Sequence, residues 1–416
     1  MYIRTISIYL MFNILSALVP IVMLPILTKY LSPRDYGILA VFNIVSMLVG
    51  NLFRLELNSA LKREYAENQT DFSRYISTAF MFSNFMFLLC GVVLLLLLPF
   101  LGDFYGIQPY WMLLILLLSY FRFYTVNLHH LLQLTNRALL YGIWGFVATL
   151  VSFGICIGLL IFVEANWQAR AWAEVVVGVA SFPLAIFFLR KHYLLKWQFD
   201  LGSLKKMLRF SLPLLASSML AYLILVSDRM FIAKLSGPQE LGLYTVAVQL
   251  SSVAGLFFGA LLPTWESWIF MKRGGGNKQN ISKVMKVLLA VALLSLVMIL
   301  LLPRMLSWLL PYLTDKNFDG VDAYLTSTIV SASCVGLFGI ISSILIFMRK
   351  TAALAYVKIA MAIVNCVGLY ICIKVWGTVG AAYALSLTFV LGSLLMLFLI
   401  LKFSNTSLRS LIFLHR

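Results

Sequence analysis

Runs of about 20 apolar residues recur along the whole chain, and they constrain its fold more than any other feature. A run of that length crosses the hydrocarbon core of a bilayer, roughly 30 Å thick, as an α-helix. Hydrophobic residues make up 62% of the 416 residues and charged residues 11%, whereas a soluble domain carries about 25% charged residues. Because a water-soluble fold of this length cannot bury so much apolar surface, the sequence predicts an all-α integral membrane protein.

About twelve transmembrane helices are predicted, joined by short connections. They lie near residues 5–28, 36–58, 75–99, 110–131, 139–163, 170–189, 209–234, 241–264, 284–302, 324–347, 352–373 and 378–401. The longest irregular connections are expected near 190–208, 265–283 and 303–323, and none is large enough to form a separate domain. The first run lacks the small-residue cleavage site of a signal peptide and is interpreted as a span.

Lysine and arginine residues are unevenly divided between the two sides of this arrangement. With the N-terminus inside, 21 of them lie on the cytoplasmic side, in the connections or at span ends, and 7 lie on the opposite side. The positive-inside rule therefore predicts that both termini are cytoplasmic. The same bias, with attraction to anionic membrane lipids, explains the formal net charge of +17 without nucleic-acid binding. The five cysteines lack metal-binding spacing and no phosphate-binding loop is present, so no metal, cofactor or catalytic residue is predicted.

A short motif occurs twice, at an offset of 205 residues. The first copy carries Pro33 and Gly37, and the second carries Pro238 and Gly242. Each copy is predicted to form an outer turn between two spans, in which proline starts the turn and glycine permits close approach or an unusual φ. An acidic residue stands near the start of the following helix in both copies, where the helix dipole favours it.

Six predicted spans separate the two copies, so the two halves of the chain run in the same direction through the membrane. The halves are residues 1–200 and 201–416. This predicts two pseudo-symmetric six-helix bundles with a substrate path between them. Carriers that work by alternating access commonly have this organisation, whereas receptors and scaffolds rarely need it.

Four tracts carry a resemblance to a known family: Leu31–Gly37, Leu241–Tyr244, Ser227–Arg229 and Gly377–Ala382. They resemble the polysaccharide-transporter branch of the multidrug/oligosaccharidyl-lipid/polysaccharide (MOP) flippase superfamily, and within it the chain is similar over its whole length to Wzx-type O-antigen flippases. The resemblance implies a MATE-like fold and a transporter rather than an enzyme. It implies movement of undecaprenyl-pyrophosphate-linked O-antigen repeat units from the cytoplasmic to the periplasmic leaflet of the bacterial inner membrane, for lipopolysaccharide biosynthesis. It also suggests an O-antigen polymerase and a chain-length regulator as partners.

Such a substrate needs a wet cavity with cations that offset the phosphate charge. Arg122, near the middle of the fourth span, is the leading candidate, with flanking tyrosine and threonine side chains lining the cavity. Arg54, Arg229 and Lys358 are further candidates. The alternatives are a fixed ion pair for Arg122, snorkelling to the surface for Arg54 and Lys358, and a structural pair with Asp228 for Arg229.

The driving force is left open between the membrane potential, ion antiport and removal of the product by polymerisation. Asp228 is a candidate proton or sodium site, or part of an outer gate. His129 and His130, at the inner end of the fourth span, are candidates because histidine titrates near physiological pH. Packing at the membrane interface is the alternative role for both histidines.

Three other functions stay open. A flippase for another lipid-linked glycan, such as a capsule or exopolysaccharide unit, shares every feature above. A multidrug or ion antiporter of the same superfamily is expected to carry acidic coupling residues in the N-terminal bundle, whereas the buried-charge candidates here are mostly basic. An O-antigen polymerase is expected to have a large periplasmic loop, and the outer connection near 303–323 is short.

Overall fold

The computed structural model describes residues 2–67, 72–100, 102–103, 105–135, 137–163, 166–193, 198–271, 278–348 and 350–404. These residues form fourteen α-helices and two short 3-10 turns. The helices are α1 (Tyr2–Val22), α2 (Leu24–Tyr30), α3 (Pro33–Arg54), α4 (Leu57–Glu67), α5 (Phe72–Leu97), α6 (Trp111–Leu134), α7 (Ala138–Phe162), α8 (Trp167–Tyr193), α9 (Leu201–Leu235), α10 (Gly237–Met271), α11 (Lys278–Leu313), α12 (Asp322–Phe347), α13 (Thr351–Trp376) and α14 (Val379–Ser404).

Twelve segments of the described chain are long and apolar enough to cross a membrane. The first, Met11–Tyr30, combines parts of α1 and α2, and the others lie in α3 and in α5 to α14. Each corresponds to one span predicted from the sequence. The prediction of an all-α integral membrane protein with about twelve spans is therefore confirmed.

The chain divides into two compact units, Met1–Met219 and Leu220–Arg416, and the division falls inside α9. In the first unit α6 packs against α3 and α8, and α7 packs against α1 and α8. Its core is rich in aromatic side chains, among them Phe80, Phe123 and Tyr124. In the second unit α12 packs against α10, α11 and α14, and α14 also packs against α13.

Both copies of the repeated motif lie where one helix ends and the next begins. Pro33 is the first residue of α3, and Ser32 and Asp35 form a capping box at its start. In the second copy Pro238 lies in the first turn of α10. Gly37 and Gly242 lie within helices rather than in the turns. The left-handed backbone in the second turn is found instead at Gly237, with φ of 88°.

The connections are shorter than the sequence suggested. Residues 303–313 belong to α11, although two prolines, Pro303 and Pro311, lie in this stretch. Proline is tolerated in membrane helices because neighbouring groups satisfy the freed carbonyls, so Pro303 and Pro311 do not end α11. Likewise α9 begins at Leu201 and α10 continues to Met271.

The second span also ends earlier than predicted. Leu55 and Glu56 adopt left-handed backbone conformations, with φ of 48° and 55°, and they terminate α3 at Arg54. The short helix α4 follows and buries Leu57 and Leu61 against the core of the first unit. The helix α4 also packs against α6.

Candidate functional site

A polar cavity of about 440 Å³ lies inside the first unit, among α1, α6, α7 and α8. This volume is within the range of ligand pockets, about 300–1,000 Å³. Its ionisable lining residues are Arg122, His129, Tyr141, Arg170 and Glu174. Hydroxyl and amide groups complete the polar lining, from Asn13, Ser16, Thr125, Thr149, Ser152 and Ser181.

One carboxylate, Glu174, lies between two arginines in this cavity. Arg122 Nη2 on α6 donates to Glu174 Oε2 on α8 at 2.7 Å. Arg170 Nη2, one helical turn before Glu174, lies 3.4 Å from Glu174 Oε1. Arg170 and Glu174 are four residues apart and so lie on the same face of α8. The three residues together carry a formal charge of +1.

The two arginines differ in how firmly they are held. Arg170 Nη1 also donates to Ser152 Oγ at 2.7 Å, and its guanidinium lies 4.0 Å from the centre of the Phe153 ring. Its side chain is 15% exposed, whereas that of Arg122 is 37% exposed. Arg122 is therefore the more exposed cation of this group, and Glu174 is the one hydrogen-bond acceptor of its guanidinium among the described residues. The fixed ion pair considered for Arg122 is present, but it does not use the whole guanidinium.

His129 borders the same cavity two helical turns further along the same face of α6. Its ring stacks on Tyr141, with centroids 4.5 Å apart. The buried Nε2 atom of His129 has no hydrogen-bond partner among the described residues. His129 thus has both the packing role expected of an interfacial histidine and a polar atom at the cavity wall.

The other basic candidates of the first unit, Arg54 and His130, lie toward the C-terminal ends of α3 and α6. Arg54 Nη2 donates to Asn51 Oδ1 at 2.6 Å. The positive charge of Arg122 repels that of Arg54. The positive charges of Lys62 and Arg54 also act on the partly buried His130 ring. Burial lowers the pKa of the Lys62 ammonium, and the Glu56 carboxylate opposes this effect. Arg54 and His130 are half-buried and are not among the residues that line the polar cavity.

In the second unit Asp228 is buried, with 1% of its surface exposed. Its carboxylate accepts the Tyr244 hydroxyl at 2.7 Å and the Arg229 backbone N–H at 2.8 Å. Within the described residues the Asp228 and Arg229 side chains form no ion pair. Both of these donors to the buried carboxylate are neutral groups.

A second set of polar contacts involves Ser227, the residue before Asp228 on α9. Asn365 Nδ2 on α13 donates to Ser227 Oγ at 2.6 Å and to the Ile224 carbonyl at 3.2 Å. Thr388 Oγ1 on α14 donates to Asn365 Oδ1 at 3.3 Å. These bonds join three membrane helices through buried polar side chains. Lys358, two turns into α13, is half-buried and forms no salt bridge within the described residues.

The sequence interpretation missed two members of the arginine–glutamate group. Arg170 was counted among the outer positive charges, although it lies inside α8, and Glu174 was not considered. The spacing Arg170-x3-Glu174 within an otherwise apolar run was the available signal. The tyrosines that flank Arg122 do not line the polar cavity, since Tyr120 and Tyr124 donate to Asn84 Oδ1 at 2.9 and 2.6 Å. Thr125 does line it, as expected.

A family model described as polysaccharide biosynthesis protein matches residues 3–264 of this chain. No curated protein matches the chain by sequence. Among solved structures, the lipid II flippase MurJ in an inward closed conformation aligns with a TM-score of 0.75 at 15% identity, covering 99% of this chain and 91% of that one.

Two multidrug transporters of the MATE family share the fold as well. An inward-facing MATE transporter of the MOP superfamily aligns with a TM-score of 0.67 at 14% identity, covering 96% of both chains. The MATE multidrug transporter DinF-BH aligns with a TM-score of 0.63 at 13% identity, covering 99% of this chain and 94% of that one. The MOP fold expected from the sequence is therefore confirmed.

Proposed function

This chain belongs to the polysaccharide biosynthesis protein family, and we propose that it moves a lipid-linked oligosaccharide across the bacterial inner membrane. The substrate is an O-antigen repeat unit on undecaprenyl pyrophosphate, taken from the cytoplasmic to the periplasmic leaflet by alternating access. Family membership and the MOP fold support transport of a glycan precursor. The cavity chemistry of the first unit supports an anionic headgroup.

The observation that carries the proposal is Arg122, a half-exposed arginine in a polar cavity at the middle of a membrane helix. An arginine at the centre of a span costs roughly 2.5–3.5 kcal/mol on insertion scales, so its position requires compensation. Glu174 supplies part of that compensation and leaves a net charge of +1 in the group with Arg170. Arginine donates two parallel hydrogen bonds to phosphate oxygens. The pyrophosphate of the carrier lipid is an anion that suits this site.

Transport is tested by reconstituting the purified protein in vesicles that hold a lipid-linked repeat unit and measuring which leaflet exposes the sugar. We expect wild type to equilibrate the lipid between leaflets. Arg122→Ala should slow this at least tenfold, and Arg122→Lys should recover part of the rate because a cation remains. Arg137→Ala, which removes an exposed arginine before α7, is the matched control. Normal transport by both Arg122 variants would exclude Arg122 from substrate binding.

The second candidate function is a multidrug antiporter, and the buried carboxylates Glu174 and Asp228 favour it. The two functions predict opposite signs for Glu174→Gln. For an anionic substrate this change raises the net charge of the cavity group to +2 and should strengthen binding several-fold. For a cationic drug it should weaken binding. Titration of each variant with undecaprenyl pyrophosphate and with a cationic dye separates the two.

Depletion of the protein in cells distinguishes the remaining alternatives. Trapping of single repeat units on the cytoplasmic leaflet, with loss of surface polymer, is expected. Repeat units that reach the periplasmic leaflet but stay unpolymerised would indicate a polymerase. The chemical identity of the trapped unit would separate O-antigen from a capsule or exopolysaccharide unit.

Two further parts of the proposal concern coupling and orientation. Asp228 exchanges a proton or sodium ion during the cycle, so Asp228→Asn should abolish the dependence of transport on the corresponding ion gradient. Both termini are cytoplasmic, so a cysteine introduced at residue 278 should react with an impermeant reagent only from the cytoplasmic side. Periplasmic labelling at residue 278 would reverse the orientation.

A further inference from the structure

A second cavity of about 390 Å³ adjoins the polar one in the first unit, and its lining is almost entirely apolar. Its floor is formed by Leu128 and Leu132 of α6, which are 1% and 3% exposed. Its rims are exposed aliphatic residues of α7 and α8, among them Ile143, Val147 and Leu184. The feature is thus a groove, closed on the side of α6 and open on the outer side of α7 and α8.

The polar cavity and the apolar groove use two faces of α7. Gly145, Thr149 and Ser152 line the polar cavity, whereas Ile143, Val147 and Val151 line the groove. The residues of each set recur at the three- and four-residue spacings that share a helix face. The sequence of α7 therefore builds a polar and an apolar compartment at the same level of one helix.

Four residues belong to the walls of both compartments: Trp144, Ala148, Val177 and Ser181. Ala148 and Ser181 are small, so the partition between the compartments is thin where α7 meets α8. The two compartments therefore share one wall, with Arg122 on its polar side and the groove on the other.

We propose that the groove holds the first isoprene units of a polyprenyl chain whose phosphate lies at Arg122; this inference rests on the proposed function. Arg122 lines the polar cavity beside the groove and is 37% exposed. A ligand that uses both compartments must therefore join an anion, which binds Arg122, to an apolar chain, which fills the groove. A polyprenyl phosphate has this composition. The hydrophobic effect does not draw the chain out of the bilayer, since lipid tails are as apolar as the groove. The groove instead fixes the direction in which the chain leaves the headgroup while the sugar crosses.

Photo-cross-linking tests the occupant. A benzophenone amino acid is placed at residue 147, in the groove, or at residue 179 on α8, which lines neither compartment. Both valines are 48% exposed, so they have equal access to bulk lipid. The probe is radiolabelled undecaprenyl pyrophosphate in vesicles of phosphatidylethanolamine and phosphatidylglycerol.

We expect at least fivefold more label at residue 147 than at residue 179. Excess unlabelled undecaprenyl pyrophosphate should remove the difference, added phosphatidylglycerol should not, and Arg122→Ala should reduce it. Equal labelling at the two positions would overturn the inference. Equal competition by phosphatidylglycerol would also overturn it, because the groove would then hold an ordinary acyl chain.

Transport by tryptophan variants separates this inference from the proposed function. Val147→Trp fills the groove and should slow translocation about tenfold, whereas Val179→Trp should have the wild-type rate. A wild-type rate for both variants, in a protein that translocates the lipid, would overturn the groove and leave the proposed function standing. Specific labelling at residue 147 in a wild-type protein that moves no lipid would support the groove and overturn the proposed function.

Discussion

Replacement of Glu174 by glutamine should destabilise the first unit more than replacement of Arg122 by glutamine. Glu174→Gln removes the carboxylate shared by both arginines and leaves Arg170 as a partly buried cation without an ionic partner among the described residues. Arg122→Gln leaves the Arg170–Glu174 pair intact. Each substitution removes one charge. The difference between their effects on the free energy of unfolding therefore measures how far Glu174 stabilises both arginines.

The magnitudes follow from exposure as well as distance. Two unit charges 4 Å apart attract by about 4 kcal/mol at an effective dielectric constant of 20, and by about 1 kcal/mol in water. Breaking a buried pair costs about 3–5 kcal/mol and losing an exposed pair costs at most about 1 kcal/mol. Because the Arg122 side chain is 37% exposed, we assign about 1 kcal/mol to Arg122→Gln. Arg170 and Glu174 are 15% and 13% exposed, so we assign about 3 kcal/mol to Glu174→Gln.

Thermal unfolding of the purified protein measures this difference. For a domain of about 200 residues, 1 kcal/mol shifts the melting temperature by roughly 2–4 °C. We therefore expect a decrease of about 6–12 °C for Glu174→Gln and about 2–4 °C for Arg122→Gln. Cys156 is fully buried in α7 and becomes reactive toward a thiol-specific fluorophore on unfolding. It provides the signal once the exposed Cys366 and the half-buried Cys90 and Cys334 are replaced by serine.

A double variant supplies the control. Arg170→Met with Glu174→Leu replaces the buried pair by apolar side chains, and such replacements are often neutral. The double variant should therefore melt higher than Glu174→Gln alone. Equal melting temperatures for Glu174→Gln and Arg122→Gln would refute the argument that Glu174 serves two arginines.

Three smaller predictions concern the other hydrogen bonds. Tyr244→Phe removes the hydroxyl donor from the buried Asp228 carboxylate and should cost about 1–3 kcal/mol, measured by thermal unfolding, and Asp228→Asn in the same chain should reduce that cost. Hydrogen bonds from Ser203 hold the pKa of Asp200 below its usual range. The start of α9 is therefore stabilised above the unfolded pKa and loses this support as the pH falls through the folded one. The amide protection factors there, which correct for the intrinsic pH dependence of exchange, should fall in acid in wild type, whereas in Asp200→Asn they should not. Ser32→Ala breaks the capping box of α3 and should cost about 1 kcal/mol, seen as faster amide exchange in its first turn.

The helices were predictable because hydropathy reflects the cost of placing each residue in hydrocarbon, and that cost depends on local sequence alone. The apolar runs therefore predicted every candidate span. Their ends were harder, since Pro303 suggests a loop by its own propensity but remains in helix when neighbouring groups satisfy the backbone. The break at Leu55 depends on left-handed backbone conformations at Leu55 and Glu56. Neither residue is a glycine or a proline, so the sequence carries no local signal for this break.

The site was predictable only in part. A charge in the middle of a span marks Arg122 as functional or paired, because either condition is needed to offset its insertion cost. Its partner Glu174 is 52 residues away in the chain, and no local pattern links the two. Hydropathy also does not say which face of α7 meets α6, so the division of its small and aliphatic residues into two compartments required the packing of three helices.

The arrangement of Glu174 between two arginines has a consequence for ligand exchange. An anion that binds Arg122 competes with Glu174 for the same guanidinium. Arg170 remains beside Glu174 when Arg122 turns to the ligand, so no buried carboxylate is left without a cation. We infer that Arg170 lowers the cost of releasing Arg122 to the substrate.

Variants with matched net charge separate this exchange from simple attraction. Wild type and the Arg170→Met, Glu174→Leu double variant both have a net charge of +1 at residues 122, 170 and 174. Exchange predicts that the double variant binds undecaprenyl pyrophosphate several-fold more tightly than wild type, because no carboxylate competes for Arg122. Attraction by net charge alone predicts equal affinity. Arg170→Met alone should bind most weakly, since Glu174 then holds Arg122 with no second cation, and binding as tight as wild type in that variant would contradict the exchange.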